Sequence, residues 1–322
     1  MTGIFNGPLA AELTAFLSFK RARGYGYTRS EFALRNFDRF LANFTRQRRT
    51  WRLDEAILAW LGCGCDRKPV SVAMYLYVVR EFWKYLRRQD PKRFAHGPRW
   101  PHLPAKSDFR AYVLSAAQVR CLLGLIQRLD GSRFRRALYR ALFLALYCTG
   151  LRFGEALRLR IRDLDLRRRT LFVANSKGRS RWVPFHPTLT AELERYLRER
   201  EAFIGVGPDQ DDRLFVGCNR RDLPISTAWR TISSLFRMAG MKPARGRAGP
   251  RPYDLRHTFA VHRLTRWYRQ GADLHGRLPW LSAYLGHVNL IGTEAYLQAT
   301  PQLLAITAER FRRRYSCTRR PR

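Results

Sequence analysis

Four short segments carry side chains that together can manage a phosphodiester. They read Thr149-Gly150-Leu151-Arg152-Phe153-Gly154-Glu155, Ser176-Lys177-Gly178-Arg179, Tyr253-Asp254-Leu255-Arg256-His257 and Leu285-Gly286-His287, with Tyr296 nine residues further on. Attack on a phosphodiester builds negative charge on its non-bridging oxygens. Arginine answers that charge, because its planar fork offers parallel N–H donors and stays charged at any biological pH. A lysine of depressed pKa can protonate a leaving oxygen. A tyrosine can attack covalently, although an unperturbed phenol of pKa about 10 is only about 0.1% ionised at neutral pH.

Taken singly, these residues say little, since a chain with 61 Lys and Arg carries arginine everywhere. Arg152 and Arg256 stand out by the uncharged or apolar neighbours in Thr-Gly-Leu-Arg-Phe-Gly-Glu and Asp-Leu-Arg-His-Thr-Phe-Ala. Arg152 opens a helix directly after a Thr-Gly break, where helix N-terminal amides add to the field. Arg256 also lies near a helix start, and the two meet only through folding. Lys177 falls at a hairpin tip, from which it can reach into a cleft. Tyr296 is the candidate nucleophile. Of its rivals, Tyr284 lies in the apolar run Trp280–Leu285 and reads as core, and Tyr315 lies in a basic tail and reads as a phosphate or partner contact.

The elements that must position these groups are mostly helical. A length of 322 residues favours two domains. Hydrophobic residues at 46% and aromatics at 13% suffice for real cores, which excludes a disordered basic tail. The net charge is +36, spread along the chain, so nucleic acid is the leading partner and an anionic membrane surface the second. There is no run of about 18 apolar residues and no signal-peptide pattern, so the expected location is cytoplasmic, away from membranes. Among the six cysteines only Cys63 and Cys65 are close, and Cys-x-Cys without a second pair is not a zinc spacing. Reduced cysteines and no bound metal are expected.

Residues 1–89 read as a four-helix domain. Its helices carry Leu9, Leu13, Phe16 and Leu17; Phe32 to Phe44, capped by Thr28 or Ser30; Ala56, Ile57, Trp60 and Leu61; and Val70 to Tyr85. Residues 90–110, punctuated by Pro91, Pro98, Pro101 and Pro104, read as a basic linker. Residues 111–322 form an α-rich second domain. Ser115 is a candidate N-cap, 134–148 a core helix, and 153–159 a further helix. The runs 170–173 and 181–184 pair as a hairpin around the loop 175–179. Helices are expected near 188–203, 225–239, 254–268, 278–285 and 292–299, with 241–252 a loop. The fold class is therefore mainly α with a small antiparallel sheet.

In this order and at these separations, the four segments resemble the catalytic domain of the tyrosine recombinases, the phage-type integrases. The helical domain resembles their N-terminal core-binding, SAM-like domain, so the likeness spans nearly the whole chain. The resemblance implies that Arg152 and Arg256 clamp the scissile phosphate. It implies that Lys177 is the general acid for the 5′-hydroxyl, that His287 hydrogen-bonds the phosphate, and that Tyr296 attacks to give a 3′-phosphotyrosyl link. Glu155 would brace the site, and His257 would be more structural than catalytic.

One position departs from the family. Tyr253 stands where a histidine usually serves as base or relay, and a neutral phenol hydrogen-bonds but is a poor base. A slower cleavage step is expected. The histidine often found two residues after the nucleophile is also absent, as in mobile-element integrases. The implied activity is site-specific recombination of double-stranded DNA through a Holliday junction, by a homotetramer on two sites, with no metal, ATP or other cofactor. Two other readings of the same scaffold are a non-catalytic, architectural DNA-binding protein and a DNA-relaxing enzyme like topoisomerase IB. The target sequence, any accessory proteins, and the choice among integration, excision, transposition and resolution are not encoded in these motifs.

Overall fold

Apolar side chains at helical spacing fold the N-terminal third of the chain, as its sequence dictates. A computed structural model describes residues 4–46, 48–63, 69–94, 100, 111–176, 179–246, 248–287, 293, 308–309 and 312. The chain divides into two units, 1–109 and 110–322. In the first, α1 (Ala10–Ala22), α2 (Thr28–Arg46), α3 (Leu53–Gly62) and α4 (Pro69–Gln89) enclose one core. Phe16, Phe37, Trp60 and Phe82 are buried there, with the Phe37 and Trp60 rings 4.9 Å apart. Phe94 is buried in the same core and Trp100 packs against it, so this unit's packing runs past the end of α4. The buried Asp38 carboxylate accepts from the amides of Asn6 (2.8 Å) and Gly7 (3.0 Å), fixing the segment that leads into α1.

The second unit begins with α5 (Ala116–Gln127), capped by Ser115 in a reciprocal capping box with Gln118. Next comes α6 (Arg133–Thr149), whose Leu138, Leu142, Phe143 and Leu146 lie at the centre of the larger core. The chain continues through α7 (Phe153–Arg158), a short 3₁₀ turn, and the strands β1 (Leu164–Asp165), β2 (Thr170–Ser176) and β3 (Arg179–Pro184). These form an antiparallel sheet in the order β1-β2-β3, with Leu171 opposite Val183 and Val173 opposite Arg181. Four helices follow: α8 (Pro187–Ile204), α9 (Ile225–Met238), α10 (Asp254–Arg269) and α11 (Leu274–Leu285). A smaller cluster of Phe259, Val261, Leu264, Leu278, Leu281 and Leu285 glues α10 to α11. That cluster sets the end of α11 beside the start of α10.

The chain differs from the sequence expectation in three places. The hairpin strands extend through Ser176 and Arg179, so residues expected in the loop are paired. A two-residue strand, β1, joins the hairpin edge; it is too short to leave a periodic signal. Helix α11 starts at Leu274 rather than 278, because Asp273 caps it by accepting from the amides of His275 and Gly276; Pro279 then lies inside the helix. The helix expected at 292–299 falls outside the described residues, apart from Thr293. Among the described residues, Cys63, Cys121, Cys148 and Cys218 are free thiols, and no helix is long and apolar enough to cross a membrane.

Candidate active site

The break after α6 is sharp because Gly150 is left-handed, with φ +63°, and its amide caps the helix by donating to Leu146 O. A side chain at that point would place its Cβ 2.5 Å from Cδ1 of Phe259 on α10, so only glycine fits. The tight turn puts Arg152 at the N-cap of α7 in extended conformation. Its backbone N–H donates to Oε2 of Glu155, three residues on, at 2.8 Å.

Glu155 is the hub of the site. Its side chain is 1% exposed. The carboxylate accepts from the Arg152 guanidinium (2.6 Å), from both terminal nitrogens of Arg181 (3.2 and 2.8 Å) and from the Ser176 hydroxyl, with Nη1 of Arg256 4.0 Å away. Burial by itself pushes a carboxyl up. The hydrogen bonds from Arg181, Ser176 and the Arg152 amide outweigh burial and hold Glu155 at about 2.

The three arginines converge again at the end of α11. Gly286 (φ +67°) closes the helix in a Schellman pattern, its amide bonding to Ala283 O and that of His287 to Ser282 O. The next three carbonyls are left without helical partners. Tyr284 O accepts from Nε of Arg181 (2.8 Å), Leu285 O from Nη2 of Arg256 (2.6 Å), and Gly286 O from Nη2 of Arg152 (2.8 Å). Cations at a helix C-terminus also complement its dipole. Arg256, only 2% exposed, makes a further bond to Gly150 O at 2.8 Å, tying both glycine turns to one guanidinium.

His287 leaves this turn with its ring against Arg256, Nε2 lying 3.0 Å from Nη2. A guanidinium can only donate, so Nε2 accepts, and Nδ1 donates its proton to the Thr293 hydroxyl at 2.7 Å. The ring orientation is thus fixed at both nitrogens. Tyr253 sits at the N-cap of α10, partly exposed, with its ring 5.7 Å from that of His257 one turn on. Burial, with help from Arg251 and Arg256, pushes the His257 imidazole below its ordinary value despite Asp254.

Arg152, Glu155, Arg256 and His287, read from distant segments, come together in one place. Tyr253 and His257 lie on the same helix as Arg256. Lys177 and Tyr296 lie outside the described residues. The rival Tyr284 donates its hydroxyl to Pro184 O (2.9 Å), and burial pushes its phenol up, which suits packing rather than attack. Two further contributors are Ser176, which lies in the quoted segment but has no role there, and Arg181, which the motifs do not include. Strand alternation marks Arg181, which shares the inward face of β3 with the buried Val183 while Trp182 points out.

A family model described as the phage integrase family matches residues 113–302. The Sinorhizobium fredii (strain NGR234) protein y4rB, provisionally named an integrase/recombinase, is 32% identical over 311 residues, covering 93% of this chain and 96% of that protein. Tyrosine recombinase XerA of Pyrococcus furiosus is 29% identical over 244 residues, covering 74% of this chain and 73% of its own. In fold, the chain is similar to the XerH site-specific recombinase bound to a difH substrate (TM-score 0.69, 19% identity, 88% of this chain and 79% of that one). It is also similar to the Tn1549 transposon integrase in complex with transposon right end DNA (TM-score 0.66, 17% identity, 95% and 99%). With the family model spanning most of the second unit and y4rB aligning over nearly the whole length, the chain belongs to the phage integrase family and is a tyrosine-type site-specific DNA recombinase.

Proposed function

We propose that the enzyme cuts and rejoins DNA by two successive transesterifications. The Tyr296 oxygen attacks the scissile phosphorus, a 3′-phosphotyrosyl bond forms, and the P–O5′ bond breaks. The leaving 5′ oxygen takes its proton from Lys177. A 5′-hydroxyl from the partner strand then reverses the exchange. One phosphate ester replaces another, so the bond energy is kept and nothing is oxidised or hydrolysed. Arg152 and Arg256 neutralise the charge that builds on the non-bridging oxygens, and His287 adds a directed hydrogen bond from Nε2, which takes up a proton as the phosphate replaces its contact with Arg256. Tyr253, beside Arg256, hydrogen-bonds the phosphate and relays the Tyr296 proton toward water.

The observation that best supports this reading is the meeting of Arg152, Arg256 and His287 at the end of α11. Two guanidiniums and an imidazole held rigidly at one point form a preorganised receptor for a single phosphate. In full recombination, four copies on two DNA sites would exchange one strand pair at a time through a Holliday junction. The two-unit chain and its +36 charge fit a clamp on duplex DNA, and the mobile-element relatives fit a transposon-type role.

The test is a suicide duplex, nicked so that the cleaved fragment diffuses away, followed by recombination between two marked sites. A covalent protein–DNA band with marker exchange supports the reading. A band without exchange, together with relaxation of supercoiled DNA, would make the chain a topoisomerase-like enzyme. Salt-sensitive binding without any band would make it an architectural protein.

A further inference from the structure

The Glu155 pocket contains a third arginine. Arg181 lies on β3, its side chain only 10% exposed, and uses its whole fork within the protein. Nη1 and Nη2 grip the two oxygens of Glu155 (3.2 and 2.8 Å), and Nε donates to Tyr284 O (2.8 Å). The guanidinium lies against the α11 turn, close enough that a Cβ on Gly286 would stand 2.8 Å from Nη1 and 3.0 Å from Cζ. All of its grip goes to two protein groups, so it differs from Arg152, whose Nε–H makes no bond among the described residues.

Both groups held by Arg181 position a proposed phosphate ligand. Glu155 orients Arg152 through two hydrogen bonds, one from its backbone and one from its guanidinium. Tyr284 O is the first of the three adjacent carbonyls; the next two orient Arg256 and Arg152, and the turn ends in His287. A guanidinium is the only side chain that can fork onto a carboxylate and donate sideways to a carbonyl at the same time.

We propose that Arg181 is a positioning residue for phosphate transfer, a strut between Glu155 and the α11 turn that holds Arg152 and His287 in register before DNA binds. This rests on the transesterification reading above. The strut explains why the site is built from a hairpin strand as well as from helices: β3 carries the strut, and the β2–β3 connection carries Lys177. Displacement of a charged ligand by about 1 Å is enough to cost roughly 100-fold in rate, with little change in the binding of a long DNA. The fork also contributes to the low Glu155 pKa, which keeps the carboxylate ionised as a fixed anchor.

The experiment compares wild type, Arg181→Gln, Arg181→Lys, Glu155→Gln and the Arg181→Gln/Glu155→Gln double variant. The readouts are single-turnover cleavage of a suicide duplex at saturating protein and DNA affinity by fluorescence anisotropy. Arg181→Gln should cleave roughly 30- to 100-fold more slowly while Kd moves less than about threefold. Arg181→Lys should recover part of the rate, since an ammonium reaches either the carboxylate or the carbonyl but not both. The double variant should be little worse than the poorer single variant, because both remove one strut. Cleavage by Arg181→Gln within about threefold of wild type, or strictly multiplicative losses in the cycle, would overturn the proposal. If Arg181→Gln does not fold, Arg181→Lys decides alone: a loss of about fivefold or more supports the strut, and a wild-type rate overturns it. Absence of an adduct with the wild type would sink the transesterification reading itself, whereas an active wild type with an equally active Arg181→Gln sinks only the strut.

Discussion

Arg152 and Arg256, which the sequence separates by about half of the second unit, donate to adjacent carbonyls, those of Gly286 (2.8 Å) and Leu285 (2.6 Å). Two guanidiniums that would repel each other are held side by side by the negative end of a helix and by the buried Glu155 between them. The arrangement points both cations at one locus.

Replacing either arginine with lysine keeps the charge and loses the geometry. Arg152→Lys and Arg256→Lys should each lower single-turnover cleavage of a suicide duplex by roughly 100-fold or more, with DNA affinity nearly unchanged. Retention of cleavage within about tenfold would mean that charge alone suffices there.

Gly150 is constrained twice, by its left-handed backbone and by Phe259. Gly150→Ala should destabilise the second unit by about 2–5 kcal/mol, adding the cost of the left-handed region to that of overpacking. Chemical denaturation followed by tryptophan fluorescence reads this, and a loss under about 1 kcal/mol would show that the turn relaxes.

The low Glu155 pKa has a definite sign. A carboxylate held at about 2, against about 4.3 in the unfolded chain, contributes stability that is present above the unfolded value and lost as pH falls toward 2. The stability difference between wild type and Glu155→Gln should therefore shrink by roughly 2 kcal/mol between pH 4.5 and pH 2. A difference that stays flat over that interval would mean that Glu155 is not ionised by these partners.

Much of this was legible in the chain because glycine breaks and apolar runs are strong signals. Thr149-Gly150 and Leu285-Gly286 mark two helix ends, and just after them come Arg152 and His287, two of the proposed phosphate ligands. The four N-terminal helices follow from aromatic and aliphatic spacing alone. Arg181 was not legible, because one strand arginine among so many looks like surface charge until Val183 shows which face is inward. The apolar pattern places this helix near 278–285, whereas α11 starts at Leu274 and Pro279 lies within it. By sequence Ser176 falls in the loop 175–179, whereas strand pairing carries it inward to Glu155.

Tyr253 gives a gain-of-function test. Tyr253→His places a titratable base beside Arg256 and should speed cleavage by about tenfold or more at pH 7–8, with the gain lost below the imidazole pKa. An unchanged rate would show that position 253 takes no part in moving the Tyr296 proton.

Covalent attack by Tyr296 leaves a mark that can be mapped to one residue. Trapped wild-type protein, digested with trypsin and mapped by mass spectrometry, should carry a 3′-linked nucleotide on the peptide 278–310. Fragmentation should place it on Tyr296 and not on Tyr284, which shares the peptide but has its hydroxyl bonded to Pro184. Tyr296→Phe should give no adduct. A nucleotide on Tyr284 or elsewhere, or a covalent adduct that persists in Tyr296→Phe, would contradict the account.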